Sequence, residues 1–337
     1  MYHVKENTLF KSISVLLEDN KEKIDSTLAG WVSELETCTK KVQADRDLFH
    51  QWNPLRIYIS LGGVKTKKPN FSVRFLGQEV GNIIVDNGTA RLCISATHYK
   101  NNEAWFAQHH PKGSGNFGLP PGKYEWKKAE AKKFRREFKD IQDIPNAKPR
   151  IPEHRIESAF IEEMESVKRS KFQGMVGFIQ PVKVAQCPLQ FPLPVSASKG
   201  SPVLTYGHID ILARRGYGRN VKLSVWELKS PGVLSHAVKQ AYIYALTLRH
   251  ILKSRHGKEW YRLCGFSSNV PAKLHIEAVV AITEDKKKAF WKQYEHLIAE
   301  NPLQIGGDQI SFFVALYDGA SYKIKSFEQL KVTAAPQ

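Results

Sequence analysis

Two short apolar segments carry charged side chains at positions where an ordinary buried strand would exclude them. Asp210 ends the segment 207–210, and Glu227 and Lys229 lie in the segment 226–229. Because side chains alternate along a strand, Glu227 and Lys229 share one face. Burying such charges without partners is costly. Two carboxylates and an ammonium at neighbouring strand ends instead suit a divalent cation beside a phosphate group.

A third motif lies in the segment 236–252, whose apolar residues recur with the period of a helix. Gln240 and Tyr244 are four residues apart, so they share one face of that helix. An Asp, then Glu-x-Lys, then Gln-x-x-x-Tyr on the following helix resembles the PD-(D/E)XK nuclease superfamily. The Gln-x-x-x-Tyr element resembles its RecB-like branch.

The resemblance implies roles for individual residues. Asp210 and Glu227 would bind Mg²⁺, for which Mn²⁺ would substitute, with the backbone carbonyl of Leu228 as a third oxygen ligand. Lys229 would orient or activate the attacking water. The accessory helix would contribute Gln240 and Tyr244, near the lysine and the substrate phosphate.

The superfamily often adds a glutamate from the first core helix. Glu157 is our first candidate for this catalytic and metal-binding position, and Glu163 is the alternative. Glu162 and Glu165 point away from the apolar stripe of Ile156, Phe160 and Met164, so we expect both to be solvated.

The implied fold is of the α/β class, with a restriction-endonuclease-like αβββαβ core in which helices flank a mixed sheet. Hydrophobic patterning predicts its elements in the required order: helix 154–170, strands 173–184, 206–214 and 221–229, helix 235–253 and strand 274–283. A helix at 284–299 and strands near 310–317 and 321–326 follow. We expect the nuclease domain to span residues 150–337.

Residues 1–145 predict a separate α+β domain with a nucleic-acid-binding, sensor or partner-binding role. Its patterning gives helices at 9–17 and 24–35, then strands at 55–61, 71–76, 80–85 and 89–95. Asn87-Gly88 predicts a hairpin turn between the last two strands, since this pair accepts positive φ angles. Prolines in the segment 140–153 favour a linker between the two domains.

The net charge of +17 favours a polyanionic partner, with DNA first. A basic stretch at 123–139 is the candidate surface for phosphate contact, with Trp126 and Phe134 as added aromatic surface. The alternative interpretation is a solvated helix face with pairs of opposite charge. The candidate nucleic-acid-binding residues are Lys127, Lys128, Lys132, Lys133, Arg135 and Arg136.

The composition argues against several classes of protein. No apolar run reaches membrane-helix length, and the first residues lack the apolar core of a signal peptide, so we expect a cytoplasmic protein without a membrane partner. The four cysteines are far apart, and therefore we expect neither zinc nor an iron–sulfur cluster. These cysteines are Cys38, Cys93, Cys187 and Cys264.

These observations together predict a metal-dependent nuclease that hydrolyses DNA phosphodiester bonds. An endonuclease in a restriction, defence or mobile-element context is the first expectation. The alternatives are a non-catalytic nucleic-acid-binding scaffold with a nuclease fold, a repair or recombination exonuclease, and an RNA nuclease. A homodimer or a partner protein is compatible with each of them.

Overall fold

The computed structural model describes residues 3–43, 54–61, 69–86, 89–109, 117–141, 152–166, 171–197, 199–266, 269–298 and 301–330. Within these ranges the protein is of the mixed α/β class and contains two mixed sheets with helices packed against them. The expected α/β class is therefore confirmed. The predicted linker at 140–153 and the turn at Asn87-Gly88 fall largely outside the described residues.

The N-terminal half begins with two helices and continues into an antiparallel meander. The elements are α1 (His3–Asp19), α2 (Lys21–Gln43), β1 (Leu55–Leu61), β2 (Pro69–Phe75), β3 (Gln78–Asp86), β4 (Thr89–Ile94), α3 (Ala96–His109), β5 (Gly122–Glu125) and α4 (Ala129–Asp140). The two predicted helices and four predicted strands are present here. The patterning did not indicate α3 or β5.

Strands from the C-terminal half complete this first sheet. They are β7 (Lys183–Val184), β8 (Cys187–Leu193) and β9 (Gly207–Ile209), and the order of the sheet is β5-β4-β3-β2-β1-β8-β7, with β9 paired to β8. The junction is parallel, with Ile59 opposite Leu189. Strands from both sides of the expected division at residues 145–150 therefore share one sheet.

The second sheet lies in the C-terminal half of the chain. The other elements of this half are α5 (Pro152–Glu165), α6 (Lys171–Val176), β6 (Ile179–Pro181), β10 (Ile211–Arg215), β11 (Lys222–Leu228), α7 (Ala237–Lys253), α8 (Gly257–Leu263), β12 (His275–Thr283), α9 (Lys287–Leu297), β13 (Leu303–Ile305), β14 (Asp308–Tyr317) and β15 (Ile324–Gln329). The order of the second sheet is β13-β14-β12-β11-β10-β6, with β15 paired to β14. Its strands β6, β10 and β11 pair antiparallel, whereas β11, β12 and β14 run parallel.

The prediction of one strand over residues 173–184 is wrong. The first part of this segment belongs to the helix α6, and β6 and β7 follow it. Phe172 and Val176 are both buried and lie four residues apart, as on one helix face. Gly177, with a φ of 86°, ends the helix in the left-handed region that glycine tolerates.

Helices cover both faces of the second sheet. On one face α5 places Phe160 against Trp226, with ring centroids 5.9 Å apart. On the other face α7 buries Ala241 in the core that also contains Val225. Because neither face meets solvent, the central strand β12 is an almost continuous apolar run, as is usual for parallel strands.

The chain crosses from one sheet to the other at a single residue. Ile209 pairs with β8 in the first sheet, and Ile211 pairs with β11 in the second. Asp210 is the bend between them. None of the helices in the described ranges has both the length and the apolar character that a bilayer crossing requires.

Candidate metal and catalytic site

Asp210 is fixed at the bend by a backbone hydrogen bond. Its partly exposed carboxylate accepts the N–H of Leu228 at 2.8 Å through Oδ2. The antiparallel register, with Ile211 opposite Trp226, continues by one step to place Asp210 opposite Glu227. The N–H and C=O of one strand residue point the same way, so the Leu228 carbonyl also faces the side of Asp210.

Glu227, Lys229 and Gln240 form a buried polar group beneath α7. The Lys229 ammonium donates to Glu227 Oε1 at 2.7 Å and to Gln240 Oε1 at 2.8 Å. Glu227 is 3% exposed, and Lys229 and Gln240 are each 7% exposed. An ammonium has three N–H donors. Two of them are used within the described residues.

The two carboxylates repel each other, and this repulsion shows in the pKa of Glu227. That pKa is raised to about 8, first by burial and then by the charge of Asp210, while Lys229 opposes the rise. Burial also raises the pKa of Asp210, against the Leu228 hydrogen bond and the charge of Lys229. Such mutual repulsion is relieved when a cation binds between the two groups.

Backbone contacts hold the end of β11 that carries Lys229. The Lys229 carbonyl accepts a hydrogen bond from the Tyr317 hydroxyl at 2.5 Å, and the Lys229 N–H donates to the Ala281 carbonyl at 3.1 Å. These bonds join the strand end to β14 and β12, so the position of the ammonium is set by the second sheet.

Tyr244 lies one helical turn beyond Gln240 and is buried. Its hydroxyl oxygen accepts the N–H of Ala197, in the segment between β8 and β9, at 3.3 Å. Burial raises the pKa of Tyr244 to about 12, and the charge of Glu227 raises it in the same direction. Tyr244 therefore stays neutral and connects α7 with the segment that leads into Asp210.

Glu157 on α5 is buried, but an arginine from the first sheet is its direct partner. Arg74 Nη1 lies 3.4 Å from Glu157 Oε1 and 3.3 Å from Oε2. The pKa of Glu157 is raised to about 7, chiefly by burial, with Arg74 lowering it and Asp210 raising it. Glu157 is thus within electrostatic range of Asp210.

Two of the four other glutamates of α5, Glu163 and Glu165, are placed differently. Glu163, the alternative candidate, is half-buried and lies six residues, about 9 Å, further along the helix. The expectation that Glu165 is solvated is wrong, because its side chain is 12% exposed and pairs with Lys183 at 2.6 Å and with Arg56. Glu165 faces the cations of β1 and β7, which the helix period alone did not reveal.

The basic stretch is not part of this site. Phe138 of α4 packs on Phe75, with ring centroids 5.1 Å apart, and Phe75 and Arg74 are on opposite faces of β2. The expectation of aromatic surface is wrong, since Trp126 and Phe134 are buried. Of the candidate nucleic-acid-binding residues, five are exposed: Lys127, Lys128, Lys132, Lys133 and Arg136.

The sixth candidate, Arg135, is half-buried. Its guanidinium donates to the Trp126 carbonyl at 2.8 Å and lies 4.5 Å from the centroid of the Trp126 ring. Arg135 therefore stabilises the start of α4, and the exposed lysines around it form the accessible positive surface.

The donor set at the bend fits a hard divalent cation. Asp210, Glu227 and the Leu228 carbonyl supply oxygen atoms only, and Mg²⁺ needs one or two carboxylates because it retains several waters. No set of three or more His, Cys, Asp or Glu side chains in the described part of the chain has a metal-binding arrangement. A metal at this site would accordingly depend on the two carboxylates, the carbonyl and water.

Sequence reasoning missed two residues near the site. Arg74 occurs in Phe-Ser-Val-Arg-Phe, whose alternation predicts a solvent face, and only the pairing of the first sheet brings it to α5. Glu153, in the first turn of α5, raises the pKa of both Asp210 and Glu227. An acidic residue at a helix start is so common that it gave no signal.

Comparison of the chain with protein-family models, with curated proteins and with solved structures finds no match. The function is therefore inferred from the geometry of the site and from the resemblance of its motifs.

Proposed function

We propose that the protein is a metal-dependent nuclease that hydrolyses DNA phosphodiester bonds. The observation that carries this proposal is the buried Lys229 ammonium, shared between Glu227 and Gln240 and adjacent to the carboxylate of Asp210. Two carboxylates that can hold a cation, next to an ammonium, suit phosphodiester hydrolysis. Negative charge develops on the phosphate in the transition state, and the cation and the ammonium would both offset it.

Each residue has a role that follows from its position. Asp210, Glu227 and the Leu228 carbonyl would hold Mg²⁺, which supplies positive charge that favours ionisation of the attacking water and shields the phosphate. Lys229 directs its third N–H toward the attacking water or a phosphate oxygen. Gln240 accepts from the ammonium and thereby fixes its direction, which reduces the reorganisation needed in the transition state.

The topology supports a restriction-endonuclease-like core. The elements α5, β6, β10, β11, α7 and β12 occur in the αβββαβ order, with α6, the excursion of β7, β8 and β9 into the first sheet, and α8 as insertions. The antiparallel β6-β10-β11 unit next to the parallel strand β12 forms a mixed sheet, which is the kind of sheet that the resemblance implies.

The charge of the chain supports a polyanionic substrate. The net charge of +17 favours nucleic acid, and the exposed lysines of α4 provide a surface for phosphate contact that is separate from the site. DNA is the proposed polymer and internal cleavage the proposed mode.

The test is a cleavage assay on supercoiled plasmid, linear duplex, single-stranded DNA and RNA, with Mg²⁺, Mn²⁺ or EDTA. Wild-type protein is compared with Asp210→Ala and with a matched control, Asp308→Asn. Asp308 is also an aspartate that accepts a backbone N–H, that of Leu274 at 2.7 Å, but it lies at the opposite end of the parallel strands.

We expect metal-dependent cutting by the wild type and by Asp308→Asn, and none by Asp210→Ala. Cutting of the plasmid indicates an endonuclease, whereas degradation limited to linear molecules indicates an exonuclease. Salt-sensitive DNA binding without cleavage under every condition would contradict the proposal and would favour a scaffold.

A further inference from the structure

Arg74 is a buried guanidinium of the N-terminal half that reaches the neighbourhood of the proposed metal site. It starts on β2, passes over the Tyr58 ring of β1 with Cζ 4.4 Å from the ring centroid, and reaches β8 and α5. Its side chain is 6% exposed, as is that of its partner Glu157.

Each nitrogen of this guanidinium has its own acceptor. Nε donates to Ser72 Oγ at 3.2 Å, Nη1 contacts Glu157 and Nη2 donates to Gln190 Oε1 at 3.1 Å. The Ser72 hydroxyl in turn donates to Glu79 Oε2 at 2.6 Å. A guanidinium whose three nitrogens each contact an acceptor is held in one orientation. Its contact with Glu157 therefore fixes the orientation of that carboxylate as well.

A gain in folding stability does not account for the burial of this ion pair. Apolar residues of similar volume at such positions stabilise folded proteins as well or better. The pairing of β8 with β9, in which Phe191 lies opposite Ile209, continues by one step to place Gln190, the acceptor of Arg74 Nη2, opposite Asp210. The charge of Asp210 also acts on Glu157. The ion pair thus lies between the first sheet and the carboxylate at the bend.

We propose that Arg74 is a positioning residue of the metal centre: it holds Glu157 beside Asp210, so that the N-terminal sheet is an integral part of the site. The inference rests on the proposed function, since it requires a cation at Asp210 and Glu227. Groups that orient the carboxylates around a metal commonly change its affinity by about 10- to 100-fold when they are removed.

The experiment measures Mn²⁺ binding in the absence of nucleic acid, by the electron paramagnetic resonance signal of the free ion. The variants are Arg74→Gln, Arg74→Lys, Glu157→Gln, the double variant of Arg74→Gln with Glu157→Gln, and Asp210→Asn. Arg215→Gln is the matched control, because Arg215 makes a similar pair with the buried Glu277 through Nε at 2.6 Å.

We expect Arg74→Gln and Glu157→Gln each to weaken Mn²⁺ binding by about 10-fold or more. The double variant should bind no more weakly than Glu157→Gln, because Arg74 acts through Glu157. Arg74→Lys keeps the charge but loses the planar guanidinium with its several N–H donors. Its affinity for Mn²⁺ should therefore lie between those of the wild type and Arg74→Gln. Arg215→Gln should bind Mn²⁺ as the wild type does.

Removal of Arg74 alone leaves the Glu157 charge buried without its partner, and the double variant avoids this defect. Arg74→Lys keeps a positive charge beside Glu157, so its Mn²⁺ affinity tests the inference even where Arg74→Gln folds poorly. Wild-type affinity in Arg74→Lys and in the double variant would overturn it, and so would equal weakening in Arg215→Gln. Absence of Mn²⁺ binding to the wild type would overturn the proposed function as well, whereas loss of binding in Asp210→Asn alone would overturn only the role of Arg74.

Discussion

Replacement of Asp210 by Asn should abolish cleavage and, without metal, stabilise the protein. An Asn side-chain oxygen can still accept the Leu228 N–H that Asp210 Oδ2 accepts at 2.8 Å. The substitution therefore removes one negative charge and keeps the local geometry. What it relieves is the repulsion that helps to raise the pKa of Glu227.

The pairing of β10 with β11 gives the size of the repulsion between Asp210 and Glu227. Residues directly opposite each other in an antiparallel pair have Cβ atoms about 5 Å apart. Two unit charges about 5 Å apart, at an effective dielectric constant of about 20, repel each other by about 3 kcal/mol. Asp210 is partly exposed and Lys229 neutralises part of the field, so the expected gain in the free energy of unfolding is about 1–2 kcal/mol.

The raised pKa of Glu227 determines the direction in which the folding stability changes with pH. Glu227 has a pKa of about 8 in the folded protein, against an ordinary value of 4.5, so its burial lowers stability progressively as the pH rises through this window. The gain from Asp210→Asn should be largest above about pH 8 and should vanish near about pH 4, where the Glu227 carboxyl group is protonated and no longer repels Asp210.

The assay is urea unfolding in EDTA at about pH 9 and about pH 4, followed by circular dichroism, with and without added Mg²⁺. The control is Asp308→Asn, in which the same change removes a charge that Arg249 and Lys253 pair at 2.8 and 3.0 Å. The control should lose stability at about pH 9. Mg²⁺ should stabilise the wild type and leave Asp210→Asn unchanged. A lower stability of Asp210→Asn than of the wild type at about pH 9 would contradict this prediction.

Three further predictions concern Gln240, two exposed lysines of α4, and Tyr244. Gln240→Leu removes a hydrogen bond to the Lys229 ammonium, worth about 1.5–3 kcal/mol, so the single-turnover cleavage rate should fall about 10- to 100-fold; an unchanged rate would contradict its role. Gln at both Lys132 and Lys133 should reduce the slope of log DNA affinity against log salt by about 1–2 while leaving the rate at saturating substrate unchanged, and an unaltered slope in filter binding would exclude this surface. Tyr244→Phe removes the acceptor of the Ala197 N–H and a side-chain hydrogen bond with Gln240, so urea unfolding should show a loss of about 1–2 kcal/mol with activity within a few-fold, and complete inactivation would assign the hydroxyl a chemical role.

Residues close in sequence were predicted best. Glu227 and Lys229 share a face because they are two positions apart in a strand, and Gln240 lies near them because α7 directly follows that strand. Such local periodicity depends only on backbone geometry. The predicted bounds of β1 agree with the structure at both ends for the same reason.

Features that depend on distant pairing were not predictable from the pattern. The strand β8 contains Pro188 and Pro192, which argue against a strand with neighbours on both sides, and yet it lies in the first sheet between β1 and the strands β7 and β9. That pairing brings Gln190 to Arg74, a residue 116 positions away in the sequence. A charged residue in an alternating strand normally faces solvent, so no local signal marked Arg74 as buried.

The most direct test of the central claim is single-turnover cleavage of the preferred DNA by wild type and Lys229→Met, each with Mg²⁺ and with EDTA. Breaking the buried Lys229–Glu227 pair costs about 3–5 kcal/mol, so circular dichroism must first show that the variant is folded. We expect cleavage by the wild type with Mg²⁺ and none in the other three reactions. Cleavage by folded Lys229→Met at the wild-type rate, or undiminished cleavage by the wild type in EDTA, would contradict it.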